Sequence, residues 1–361
     1  MVTLKQMAAQ LDLSAQAVSA ALAGKSGTSK VSPETVKRVE ELAKKLNYRP
    51  HFSGKAMKSR KLGQIGFILP SYKLGSGSSG AFPLVPFLTL LGLNEVIVSQ
   101  DLQIQIIQDD GIRSADQKLP RYLREQSVDA VILSGSSQER DRAIEEDLIR
   151  FSIPSVFLNS PRKKNSIYAD DLRGATLATK HLLDLGHRRI HFVGSGSPHY
   201  SHEKRLQAYS ETMKKAGETP TVHCLSLHVP QIKEYAKREE LYKKEVHEFV
   251  TRVMKEKPPT ALVCYDDTLA LLVSSALQAA GYRIPEDISI VGYNDFPYVS
   301  YLHPAMTSIR LDFDQMGRAA GQMILDVLSA PGTEIAFQTI APELIVRNST
   351  APYHPQKLKK R

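Results

Sequence analysis

The sequence predicts an α/β protein: a large region of parallel sheet preceded by a small basic module of three helices. Three observations carry this expectation. From residue 62 onward, short apolar runs alternate with amphipathic helical stretches, the pattern of strands covered by helices on both faces. The first 49 residues contain three helical patterns, each with its own start signal. Basic charge is confined to the two ends of the chain. Residues 1–61 hold twelve Lys or Arg against four acids, and the closing KLKKR adds four more cations, so within a net charge of +9 the remainder is slightly acidic.

The first helix starts at Thr3, with Gln6 three positions on in a capping-box arrangement, and repeats Leu4, Met7, Ala8 and Leu11 at helical spacing. A tight turn leads to Ser14, an N-cap for a second helix over Ala15–Ala23 that Gly24 ends. The third opens with Ser32, Pro33 and Glu34 and carries the stripe Val36, Val39, Leu42, Ala43, Leu46. Two short helices and a tight turn followed by a longer helix is helix-turn-helix order. Val18 and Leu22 are expected to face the small core, leaving Ala15, Gln16, Ser19 and Ala20 outward. A helix so bare fits deep in a major groove, where Gln16 can pair bidentately with adenine and alanine methyls can meet thymine methyls. The charge focus is the footprint of nucleic-acid binding.

In the larger region the candidate strands are 65–69, 104–108, 129–134, 155–158, 190–194, 261–265 and 288–292, with helical patterns at 172–185, 203–217, 239–257 and 267–281. Ligands of such sheets bind beyond the carboxyl ends of the strands. The glycine-rich GSGSSG at 75–80 is read as a low-complexity loop: five residues separate it from the strand, and Pro83 and Pro86 follow, so no helix start is ready for a pyrophosphate. No Walker A loop, nucleophile elbow or paired acid–base constellation appears. His187 and His191, four apart, fail as a metal pair because His191 falls inside a strand, so no metal or cofactor is expected. No apolar run reaches the roughly 18–20 residues of a bilayer span. The start lacks the order of a signal peptide, and two cysteines, Cys224 and Cys264, are too few for a disulfide framework. A cytoplasmic protein with two small buried thiols is expected.

The stretch VTLKQMAAQLDLSAQAVSAALAG…VSPETVKRVEELAKKLNYRP resembles the DNA-binding domain of the lactose-repressor (LacI/GalR) family. The resemblance extends through SIYADDLRGATLATKHLLDLGHRRIHFVG, the long stretch from PPTALVCYDD to DFDQMGRAA, and ELIVRNSTAP. It implies a helix-turn-helix domain at 1–49, a hinge helix at 50–61, an effector-binding and dimerisation domain at 62–350, and a basic tail at 351–361. The effector domain would be periplasmic-binding-protein-like, with one α/β subdomain at about 62–168 and 297–332 and the other at about 169–296 and 333–350. The chain would cross between them near residues 169, 296 and 333.

The resemblance also assigns roles. Ala15 and Gln16 fall on base-reading positions; Thr3, Ser14, Ser19, Lys30, Ser32 and Tyr48 fall at the DNA surface; Met57 stands at the minor-groove wedge among Lys55 and Lys58. Ala20 stands where relatives often have Arg, so the operator sequence does not carry over. Arg205, Asp266, Asn294 and Asn159 match effector-contact positions, the last two replacing a more usual Asp; Tyr72 and Phe82 lie in a first loop that departs most from the family. The implied protein is a homodimeric regulator, a repressor in the family's usual sense, that meets a palindromic double-stranded operator and a carbohydrate-like effector. The alternatives are a ligand-binding α/β protein or enzyme with an accessory nucleic-acid module, and a nonspecific DNA binder.

Overall fold

The structure is a computed structural model and describes residues 2–22, 31–49, 61–70, 84–112, 119–196, 199–225, 235–255, 257–330 and 332–355. The chain divides into two units, Met1–Leu62 and Gly63–Arg361.

In the first unit, α1 (Leu4–Leu11) is closed at its start by the expected capping box: the Gln6 amide donates to Thr3 Oγ at 3.3 Å, and Thr3 N donates to Gln6 Oε1 at 2.8 Å. Asp12 then takes a left-handed φ of 54° and turns the chain. α2 (Ala15–Leu22) is capped by Ser14, whose Oγ accepts from Ala17 N at 3.1 Å. α3 (Pro33–Lys45) is capped by Ser32, which accepts from Thr35 N at 3.2 Å. Met7, Ala8, Val18, Ala21 and Val39 form the buried core, with Ala15, Leu22, Val36, Leu42, Leu46 and Tyr48 packed around it. Val18 and Leu22 face this core as expected, Leu22 from its partly buried edge, and Ala21 adds a fully buried methyl. Ala23 and Gly24, expected to end α2, lie outside the described residues.

The second unit contains two six-stranded sheets. The first has β1 (Gln64–Leu69), β2 (Gln103–Gln108), β3 (Ala130–Ser134), β4 (Ser155–Leu158), β5 (Ser166–Ala169) and β11 (Gln338–Ile340), in the order β11-β5-β4-β3-β1-β2, all parallel. α4 (Leu84–Ser99), α5 (Arg121–Arg124), α6 (Gln138–Arg150) and α11 (Phe313–Ser329) belong with it. The second has β6 (Ile190–Gly194), β7 (Thr221–Cys224), β8 (Ala261–Cys264), β9 (Ser289–Asn294), β10 (Thr307–Arg310) and β12 (Glu343–Ile345), in the order β12-β10-β9-β8-β6-β7, parallel except for the β10–β12 pair. α7 (Asp171–Asp184), α8 (Tyr200–Lys215), α9 (Tyr235–Val253) and α10 (Asp267–Ala279) belong with that sheet. The apolar runs become strands because both faces are covered: every residue of β3, β8 and β9 is buried.

The crossings between sheets differ from expectation at two of three places. After β9 the chain turns through a 3-10 segment, Pro297–Tyr301, and returns to the same sheet as β10, pairing Thr307 with Val291. Asp267 holds this return: fully buried, it accepts from Phe296 N at 2.8 Å and from Ser308 Oγ at 2.6 Å. The second crossing therefore follows β10 at 311–312, not 296. The third follows β11, which pairs with β5, and falls at 341–342 rather than 333. Burial pushes the Asp267 carboxyl up to about 8, with Ser308 and the Phe296 amide pulling the other way and Asp266 and Asp295 adding to the rise. Of the two thiols, Cys264 is buried as expected, whereas Cys224, on edge strand β7, is exposed.

α4 and α11 approach closely through glycine. A Cβ on Gly317 would collide with the Thr89 carbonyl, and one on Gly92 with the Asp314 carbonyl; both obstacles are backbone and cannot swing aside. Gly317→Ala is expected to destabilise the second unit by about 1–3 kcal/mol, the usual cost of overpacking, read from the urea midpoint. An unchanged midpoint would mean the two helices can part freely.

Candidate functional site

In the first unit, Gln16 is exposed on α2, with Ser19 and Ala20 half-buried beside it. Ala15 is half-buried and touches the core, so only part of its methyl surface is free. Thr3, Ser14 and Ser32 are exposed, and their hydroxyls already serve as caps. Tyr48 packs on the core, and burial raises its phenol above the usual value. Lys30, Lys55, Met57 and Lys58 lie outside the described residues, as do Tyr72 and Phe82 of the expected first loop and the cationic end of the tail.

In the second unit, Arg205, Asp171, Tyr265, Tyr293 and Asn294 meet at the carboxyl ends of β8 and β9. Arg205, from the second turn of α8, is buried. Its Nε donates to Asp171 Oδ1 at 2.7 Å, Nη1 to the Tyr265 carbonyl at 2.6 Å, and Nη2 to Asn294 Oδ1 at a long 3.5 Å. The guanidinium carbon lies 3.6 Å from the Tyr293 ring centroid and 4.9 Å from that of Tyr265. Burial alone would loosen the guanidinium's proton; Asp171, Tyr293 and Tyr265 outweigh it, and Arg205 stays charged. Burial pushes the Asp171 carboxyl up, against the pull of Arg205. Three of the five N–H groups of the fork are thus engaged by described residues of the protein. Asp266 caps α10, accepting from Leu269 N at 2.8 Å, and Asn294 ends β9 at a φ of 105°.

Asn159 belongs to the opposite subdomain, just after β4, at a left-handed φ of 52°. Its amide donates to the Ile167 carbonyl at 2.8 Å. Its own carbonyl faces His199 Nε2 at 3.1 Å. His199 caps α8 from the second subdomain, accepting from Ser201 N through Nδ1. Burial, with Arg205 adding to it, lowers the His199 imidazole to about 4, so the ring is neutral near pH 7. The sequence reading therefore brings Arg205, Asp266 and Asn294 together on one wall and places Asn159 across from them. It misses Asp171, Tyr265, Tyr293 and His199. Asp171 is preceded by Asp170, and in sequence such a pair reads as an ordinary helix start. His187 and His191 face different partners, Thr260 and His223, and among the described residues no group of three metal-binding side chains occurs.

A family model for a periplasmic binding protein-like domain matches residues 179–350. A helix-turn-helix transcriptional repressor of Bacillus subtilis, ExuR, is 26% identical over 354 residues, covering 97% of this chain and 98% of its own. The regulator CelR of Thermobifida fusca is 25% identical, covering 90% of this chain and 92% of its own. Among solved structures, the lac repressor dimer bound to operator and an anti-inducer superposes with a TM-score of 0.75 at 21% identity, covering 97% of this chain and 99% of that one. A CelR–cellobiose complex superposes with a TM-score of 0.65 at 23% identity, covering 97% and 100%. At these identities the structural likenesses establish the fold.

The buried ion pair has a direct consequence. Asp171→Ala leaves the Arg205 charge buried without its partner, and a loss of about 3–5 kcal/mol in unfolding free energy is expected by chemical denaturation. Replacing both, Asp171→Leu with Arg205→Met, is expected to recover most of it. If the single variant is as stable as the parent, Arg205 is solvated.

Proposed function

We propose that this chain, which belongs to the lactose-repressor (LacI/GalR) family of transcriptional regulators, binds a palindromic operator as a homodimer and sets its operator affinity by a small polyhydroxylated effector held between its two α/β subdomains. The observation that carries this reading is the presence on one chain of a helix-turn-helix module with Gln16 outward and a set of polar side chains, Arg205, Asp266 and Asn294, at the carboxyl ends of neighbouring strands. The chain is a regulator and not an enzyme. Among the described residues no helix is long and apolar enough to cross a membrane, and we place the protein in the cytoplasm.

On the DNA side, α2 acts as the recognition helix: its exposed face is small, so the backbone can approach the bases, and Gln16 supplies a bidentate amide. Lys and Arg of residues 1–61 supply phosphate contacts. On the effector side, the Arg205 guanidinium, the Asp266 carboxylate and the Asn294 amide offer donors and acceptors at fixed positions, which suits vicinal hydroxyls. Cellobiose in the CelR complex and ribose in a LacI-family regulator of Enterococcus faecium are ligands of that kind in proteins of this fold. An effector acts only through its different affinity for the DNA-competent and incompetent arrangements. The homodimer is supported by α4, where Phe87, Leu91 and Val98 are 56%, 53% and 56% exposed, an apolar stripe suited to a second copy.

Two measurements test this reading. Operator selected from random duplex should bind with a log–log salt slope of about −5 to −10, and Gln16→Ala should erase its preference over scrambled duplex while leaving the salt-dependent part. A slope near zero contradicts the reading. In a thermal-shift screen of sugars and sugar derivatives, a ligand at about 100 times its dissociation constant should add about 2.7 kcal/mol of stability. Arg205→Ala should abolish that shift and leave operator binding measurable; a full response in the variant would remove Arg205 from the effector site.

A further inference from the structure

The polar contacts around His199 run in one direction. Nδ1 accepts from Ser201 N at 3.3 Å to cap α8, so the ring proton sits on Nε2. Nε2–H then donates across the cleft to the Asn159 carbonyl at 3.1 Å. The Ser201 hydroxyl lies 2.7 Å from Nδ1 and must donate to it, which leaves Ser201 Oγ to accept from the Tyr265 hydroxyl at 3.0 Å. Tyr265 in turn receives Arg205 Nη1 on its main-chain carbonyl at 2.6 Å. A chain of donors therefore leads from the Tyr265 hydroxyl through Ser201 and His199 to the other subdomain, and Arg205 holds the main chain of the residue at its head.

The acceptor at its end is fixed. Asn159 is tied through its amide to β5, and its carbonyl lies so close over Gly135 that a Cβ there would collide with it. The bond thus joins the start of α8 to a rigid strand end and not to a mobile side chain. Arg205 and Asp141 are the charged groups whose fields reach the imidazole, and burial holds it neutral. The arrangement of donors and acceptors then persists across the physiological pH range.

We infer that His199 is a positioning residue: it latches the two subdomains in the arrangement seen here and links that arrangement, through Ser201 and Tyr265, to the state of Arg205. The latch rests on reading the cleft as the effector site, because an effector that draws on Arg205 pulls on the main chain of Tyr265, the residue whose hydroxyl heads the donor chain. It makes His199 a determinant of the open–closed balance of the free protein, distinct from residues that touch DNA or effector.

The experiment separates the latch from the helix cap. Spin labels are placed on the full-length chain at Glu146→Cys of α6 and Glu211→Cys of α8, both exposed, in a Cys224→Ser background, and the inter-label distance distribution is measured without ligand. His199→Asn keeps an oxygen that can cap α8 but is too short to reach Asn159. A second, longer-distance population is expected in His199→Asn at an unchanged melting temperature, and the same population in His199→Ala with a lowered one. Tyr265→Phe, which removes one hydroxyl from the donor chain, is expected to broaden the distribution in the same direction. A His199→Asn distribution that superposes on the parent's overturns the latch. The distances need neither operator nor effector, so that outcome leaves the proposed function standing, and a failed operator or effector test leaves the distances as they are.

Discussion

The second unit is organised around a cation kept out of water. A guanidinium as buried as that of Arg205 is tolerable only if each direction it faces supplies compensation. Asp171 supplies opposite charge, Tyr265 a carbonyl, and Tyr293 a π face. These partners come from the start of α7, the end of β8 and the end of β9, so the pair fixes three strand–helix junctions against one another. The guanidinium is thereby held in a set orientation, and in the proposed effector site a ligand would meet groups that need little rearrangement. Preorganisation of this kind reduces the entropy lost when a small flexible molecule binds.

Much of the fold could be read from the residues because its strands are continuous apolar runs. The stretches read as 65–69, 155–158 and 190–194 become β1, β4 and β6 within a residue at either end. The three-helix module could be read through its caps, since Thr3, Ser14 and Ser32 act within three residues of themselves. β7, β10 and β11 were not found, and β12 was found only through the resemblance of ELIVRNSTAP to a C-terminal strand. Each has three or four residues, and polar ones such as Gln338, Thr339 and Glu343 interrupt them, so pairing with neighbours and not sequence pattern makes them strands. The misplaced crossings have the same origin: nothing local in 295–306 tells whether a loop returns to its own sheet or leaves it.

The candidate site divides along the same line. Arg205, Asp266 and Asn294 could be assigned by resemblance to a family, position by position. Asp171 could not, because its importance lies in a partner 34 residues away. His199 shows the limit most clearly: a helix-capping histidine is a local feature, whereas its bond to a main-chain carbonyl 40 residues earlier leaves no trace in composition or spacing. Contacts to backbone are especially hard to read, since any residue could supply the carbonyl.

Asp267 has a consequence for how this protein must be studied by calorimetry. Its carboxyl holds its proton up to about pH 8 in the fold, against about 3.9 for an unfolded aspartate. Between those values, melting the second unit releases that proton to the solvent, and this residue's contribution to stability declines as pH rises through the interval. The heat recorded on denaturation therefore includes the buffer's own heat of protonation, and enthalpies obtained in phosphate and in Tris will disagree until that is subtracted.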